Sequence, residues 1–155
     1  MAAIHSKAEV LGYLQKENTG VLATFDSDKQ FVRQRVMYYG VDKKFQCYLM
    51  STKESPKVPQ IISTTNLSML VFGLENPYDE SWEVELNGPA RMLESSQDIE
   101  YALINLKDRN PFADVALESG ITRQFDFICL TPALIRFRIY KEALSGEPMT
   151  IIQLD

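Results

Sequence analysis

The sequence predicts a mainly antiparallel α+β domain whose strands form a closed or split barrel. About seven segments alternate or run apolar, with β-branched and aromatic residues, as strands do. Two or three segments with helical spacing fall between groups of strands rather than following each strand in turn. With that many strands, barrel closure is the arrangement that removes exposed edges. At 155 residues, 45% apolar and 24% charged, the chain suits one domain, residues 1–155. That length buries a core without disulfide or metal staples.

Ser6 to Glu17 reads as the opening helix. Ser6 and Glu9 form the S-x-x-E capping box. Ala8, Leu11 and Leu14 recur at helical spacing. Asn18-Thr19-Gly20 is expected to end the helix in a left-handed turn. Val21–Phe25, Phe31–Gly40 and Phe45–Met50 then read as strands. The polar turns Asp26–Lys29 and Asp42–Lys44 join them, so a three-stranded antiparallel meander is expected.

Ser51–Pro59 breaks the strand pattern, and a short helix follows at Pro56–Ser63 with Ser55 as its cap. Leu67–Leu74 is a strand and Asn76–Asp79 a loop. Ser81–Leu93 alternates, with Trp82, Val84 and Leu86 opposite Glu83, Glu85 and Asn87, and bends at Gly88-Pro89. Gln97–Arg109 is a second amphipathic helix, capped by Ser96, with Ile99, Ala102, Leu103 and Leu106 inward. Asn110-Pro111 is expected to stop it. Phe125–Leu130 and Leu134–Tyr140 are the last clear strands.

Several chemistries are excluded or disfavoured by composition. The net charge of −5 argues against a nucleic-acid binder and against attraction to an anionic membrane. Cys47 and Cys129 sit in apolar β segments and read as reduced core thiols. A zinc site lacks its Cys/His cluster. His5, the only histidine, reads as a surface residue before a helix rather than part of a catalytic triad. Met1–Val10 lacks the apolar core of a secretory signal, and no apolar run reaches membrane-spanning length, so a cytoplasmic protein is expected.

The charge is unevenly spread. Between Lys29 and Lys57, five lysines and two arginines face only Asp42 and Glu54, a net of +5; the rest of the chain carries −10. Arg33 and Arg35 are two apart on a strand and share a face. That face is either a solvated surface or an anion site. Ser51-Thr52-Lys53-Glu54-Ser55-Pro56-Lys57 follows a strand and opens a helix. Its hydroxyls, the Lys57 ammonium and helix-start N–H groups suit a phosphate, although an ordinary cap beside a solvated lysine has the same pattern. No P-loop or G-x-G-x-x-G motif is present.

Taken together, Gly20-Val21-Leu22-Ala23-Thr24, an arginine on the next strand, the Ser51–Lys57 run, Gln60-Ile61, Asn66-Leu67-Ser68-Met69 and the Trp82–Leu93 strand with Gly88 and Ala90 resemble the FMN-binding split-barrel family. This is the pyridoxamine 5′-phosphate oxidase-like group, including its general stress protein branch. The resemblance covers roughly Glu9 to Ser95 and implies a Greek-key split β-barrel with flanking helices. It implies FMN at the interface of a homodimer and a flavin-dependent oxidoreductase acting on a small molecule. The arginine that contacts FMN matches Arg35, with Arg33 the alternative. The backbone of Val36, Met37 and Tyr38 would lie along the isoalloxazine. Ser51 and Thr52 match the hydroxyl pair at the strand end, and Ser55 and Lys57 match the loop serine and phosphate lysine. Backbone N–H groups near Met37 and Met50 would face the N1/O2 edge.

Three departures point away from the vitamin B6 oxidases proper and toward the stress-protein or generic flavin-reductase branch. Pro56 stands where they carry Arg or Lys, and Glu83 stands where they carry a flavin-contacting glutamine. Their C-terminal Trp and Arg/His residues have no counterpart after Leu130. No general acid or base is evident, and flavin chemistry does not require one. A flavin carrier or sensor without turnover, a split barrel for haem or deazaflavin, and a structural dimer with a solvated basic strand are the alternatives.

Overall fold

The computed structural model describes residues 4–154. Ser6 caps helix α1 (Lys7–Leu14) with a complete capping box, its hydroxyl accepting from Glu9 N–H and the Glu9 carboxylate accepting from Ser6 N–H. The helix does not end in a left-handed residue. Gln15 closes it in helical geometry, and Thr19 and Gly20 already belong to β1. The Arg109 guanidinium instead takes the last carbonyls, donating to Gln15 O at 3.2 Å and to Glu17 O. A cation at a helix C-terminus satisfies carbonyls and opposes the dipole.

Strands β1 (Thr19–Asp26) and β2 (Phe31–Tyr38) form a hairpin, followed by β3 (Gly40–Val41), β4 (Cys47–Thr52), α2 (Lys57–Ser63) and β5 (Leu67–Gly73). Then come β6 (Trp82–Gly88), β7 (Ala90–Leu93), α3 (Ser96–Leu106), α4 (Pro111–Ser119), β8 (Phe125–Leu130), β9 (Leu134–Ile139), α5 (Tyr140–Leu144) and β10 (Thr150–Gln153). All the strand pairs are antiparallel and fall into two sheets, ordered β10-β9-β6-β5-β1-β2 and β3-β4-β8-β7. This is the split-barrel arrangement.

The expected three-stranded meander does not form. β2 ends the larger sheet as an edge, and β4 pairs with β3 and β8. The chain changes sheets at Tyr39, whose N–H donates to Asn18 O and whose hydroxyl donates to Leu14 O. Gly40 then lies so close to α3 that a Cβ there would overlap the Asn105 carbonyl. The predicted bend at Gly88-Pro89 is likewise a change of sheet, tied by Thr131 N–H to Pro89 O and Ala133 N–H to Asn87 O.

The main core fills the barrel with Leu22, Leu49, Met69, Trp82, Leu86, Ile128 and Phe137, closed at one end by Val10 and Leu14 of α1. A second cluster lies on the outer face of the smaller sheet. There Tyr48, Met50, Phe127 and Cys129 meet Ala102, Leu106, Ala113 and Ala116 of α3 and α4. β4 is therefore buried on both faces, which explains its continuous apolar run. Cys47 faces the barrel core and Cys129 the second cluster; both are free, and burial pushes both thiols up.

Three helix ends differ from the sequence expectation. Ser95, not Ser96, caps α3, accepting from Asp98 N–H. Asn110-Pro111 does more than stop α3, because Asn110 caps a further helix, α4, with Pro111 in its first turn and Gly120 closing it at φ 67°. At α2, Ser55 makes no side-chain cap; Pro56 takes the cap position with helical angles, and Ser55 O accepts from Val58 N–H.

His5 is not a free surface residue. Its ring bridges Glu9 (2.9 Å) and Glu142 (2.8 Å), stands edge-on to Phe137, and its N–H donates to Thr150 Oγ1. Among the described residues there is no group of three His, Cys, Asp or Glu able to hold a metal, and no helix is long and apolar enough to cross a membrane.

Gly40→Ala should cost about 1–3 kcal/mol through overpacking against rigid backbone, read as a lower urea midpoint. Burial lowers the His5 pKa, but the hydrogen bonds its ring donates to Glu9 and Glu142, with their negative charge, outweigh it and raise it above 6.5. Its contribution to stability is therefore full below the unfolded value and lost as pH rises through the raised one. His5→Gln should depress the melting temperature more near about pH 5.5 than near about pH 9. An equal depression at both would contradict the ion-pair role.

Candidate functional site

The basic residues are placed by the β1–β2 register. Leu22 pairs with Arg35 and Thr24 with Arg33, so both arginines share the barrel-facing side of the hairpin. Leu22 and Thr24 are buried there, whereas Arg35 is half-buried and Arg33 exposed, because the barrel opens toward the β1–β2 turn. The outer side of β2 carries Val32, Gln34, Val36 and Tyr38.

Arg35 is held but not neutralised. Its Nη1 donates to Thr24 Oγ1 at 2.9 Å and its Nη2 to Gln60 Oε1 at 2.8 Å. Gln60 Nε2 in turn donates to Asp26 Oδ2 at 3.3 Å. Among the described residues neither Arg33 nor Arg35 is in an ion pair. Burial, with the like charge of Arg33 beside it, lowers the Arg35 pKa.

Helix α2 packs beside β1. It is clipped there by Phe25 N–H donating to Thr64 Oγ1 and Thr64 Oγ1 donating to Gln60 O. Lys57 precedes Gln60 by three positions and lies on the same side of the helix. Ser55 and Lys57 are half-buried at its start. The loop before it is a tight turn, with Ser55 N–H donating to Thr52 O and Glu54 left-handed at φ 65°. Ser51 is buried at the end of β4 and donates to Thr52 O; Thr52 is exposed.

Two strand edges flank this region. β2 has no neighbour beyond β1, so Val36 and Tyr38 turn backbone groups outward, unpaired by any strand, whereas those of Met37 face Gly20 of β1. β3 pairs only with Cys47 and Tyr48, so β4 keeps one open side beyond them, toward which Met50 and Thr52 turn their backbone groups while those of Ser51 face β8. β2 and β4 touch without pairing. The arrangement can therefore present backbone donors and acceptors beside a cationic pair, on an open face. The Met37 and Met50 side chains are buried, Met50 in the α3–α4 cluster; Met50 offers only its backbone, and that of Met37 is paired with Gly20. Val36 is 70% exposed.

Glu83 is not brought to this group within one chain. It lies three strands away from β2, on the opposite face of the sheet. There it meets Arg138 Nε at 3.4 Å and accepts from the Tyr140 hydroxyl at 3.1 Å. Thr24, Asp26 and Gln60 join the site although the sequence motifs do not mark them as site residues. The available signals were the inward parity of Thr24 and Asp26 on β1 and the three-residue step from Lys57 to Gln60.

The sequence matches the pyridoxamine 5′-phosphate oxidase family over residues 6–139. No curated protein matches it in sequence. Among solved structures it is similar to a conserved hypothetical protein of Mycobacterium tuberculosis, at 20% identity and a TM-score of 0.74, covering 94% of this chain and 90% of that one. It is similar to an FAD binding protein of Mycobacterium smegmatis, at 14% identity and a TM-score of 0.69, covering 99% and 100%. A heme binding protein of Mycobacterium smegmatis shares the fold at 17% identity and a TM-score of 0.73; the match covers 97% of this chain but 59% of that protein. These likenesses extend the fold, and the match along the sequence assigns the lineage: the chain belongs to the pyridoxamine 5′-phosphate oxidase family.

Proposed function

We propose that the chain binds FMN between two copies of itself and serves as a flavin-dependent oxidoreductase for a small molecule. The observation that carries this reading is the Arg33–Arg35 pair, without a carboxylate partner among the described residues, beside Lys57 and an open strand edge. Arg35, Lys57 and the hydroxyls of Ser51, Thr52 and Ser55 would hold the phosphate through charge-assisted bonds. The free edge at Val36 and Tyr38 and the open side of Met50 would offer N–H and C=O groups to the polar rim of the ring. Bound FMN would supply the redox chemistry, while these residues bind and orient it.

The open shape of the site supports a second copy as its other wall. Phe25, Val32, Val36 and Phe72 are exposed on the outer face of the same sheet, an apolar patch of the kind that marks a partner surface. Glu83 lies on that outer face, so within a dimer it would look toward the second copy rather than toward its own Arg35. Haem is less well served. Its ordinary ligand exists only as His5, and both ring nitrogens already meet carboxylates.

Flavin fluorescence titration tests the assignment. The wild type should bind FMN more tightly than riboflavin. Lys57→Ala should lose about 10- to 150-fold in FMN affinity, the worth of one charge-assisted contact, with riboflavin much less changed. Equal losses for the two ligands would remove Lys57 from the phosphate site, and a wild type that binds neither flavin would overturn the proposal.

A further inference from the structure

We infer that Gln60 is a positioning residue that aims Arg35 at the phosphate while leaving its charge unspent; the inference rests on the FMN reading above. Gln60 spans two groups of opposite sign. Its Oε1 accepts from Arg35 at 2.8 Å and its Nε2 donates to Asp26 at 3.3 Å. The amide orientation is dictated by chemistry, because a guanidinium only donates and a carboxylate only accepts. With Thr24 Oγ1 on the other terminal nitrogen, both ends of the Arg35 fork are fixed by uncharged oxygens.

Asp26 is buried and occupied elsewhere. Its Oδ1 accepts from Asp28 N–H and Lys29 N–H, each at 3.1 Å, closing the β1–β2 turn. Gln60 thus separates this carboxylate from Arg35 while linking both to α2. A glutamate in its place would pair with Arg35 and cancel its charge, and would set a second carboxylate beside Asp26. An aliphatic residue would leave one end of the fork unheld. Gln60 and Lys57 are one helical turn apart, so a single short helix presents one cation directly and orients another.

The test compares dissociation constants for FMN and for riboflavin in wild type, Gln60→Glu and Gln60→Met. Gln60→Glu should weaken FMN by about 10-fold or more while riboflavin stays within about twofold, because only the phosphate depends on the Arg35 charge. Gln60→Met, which adds no charge beside Asp26, should lower the preference for FMN by a smaller factor, and it carries the test if Gln60→Glu does not fold. Unchanged FMN preference in both variants, or equal loss of both flavins, overturns the inference while the FMN reading stands. A wild type without FMN preference overturns both.

Discussion

An arginine pair in no ion pair among the described residues is the constraint around which this part of the molecule is arranged. Arg35 is drawn partly out of water, which costs free energy unless an opposite charge or good hydrogen bonds compensate. The chain supplies the hydrogen bonds, from Thr24 and Gln60, and no carboxylate partner among the described residues. Holding the cation in place therefore needs β1 for Thr24, α2 for Gln60 and the β1–β2 turn for Asp26. The same bonds that orient the guanidinium also dock α2 against the sheet. A phosphate would supply the missing negative charge without disturbing any of them.

The split between the sheets gives that charge its setting. The chain leaves the larger sheet at Tyr39, returns through α2, and crosses again at Pro89 and Thr131-Pro132. β2 is thereby left as an edge, and the end of β4 lacks a neighbour on one side. Exposed edges invite pairing with other chains. Here the edge of β2 carries two arginines on one face and the exposed Val32 and Val36 on the other, which suits a bounded site and a second copy better than open-ended strand addition.

Local chemistry was the legible part of the sequence. The Ser6–Glu9 capping box, the alternation from Trp82 to Asn87, the bend at Gly88-Pro89 and the grouping of Arg33, Arg35 and Lys57 all depend on neighbours within a few residues. What was hidden depended on distant segments. β4 chooses β8, about 80 residues on, over the adjacent β2. α1 ends where Arg109 reaches it. Asn110-Pro111 both stops one helix and caps the next, and only the stop is visible from the preceding helical pattern. Glu83 has the expected strand position, yet strand order sets it three strands from Arg35 and the register puts it on the far face. The cationic character of the site was therefore visible beforehand, whereas the neutral residues that orient it needed the pairing of β1 with β2 and the docking of α2.

The central claim is that the arginine pair and the open strand edges make one phosphorylated-flavin site between two copies of the chain. Sedimentation velocity followed at a flavin absorbance, with FMN added to the purified protein, tests it most directly. The account predicts that flavin absorbance sediments with a dimer, one flavin per chain. Flavin that remains unsedimented, or that travels with a monomer, would contradict it.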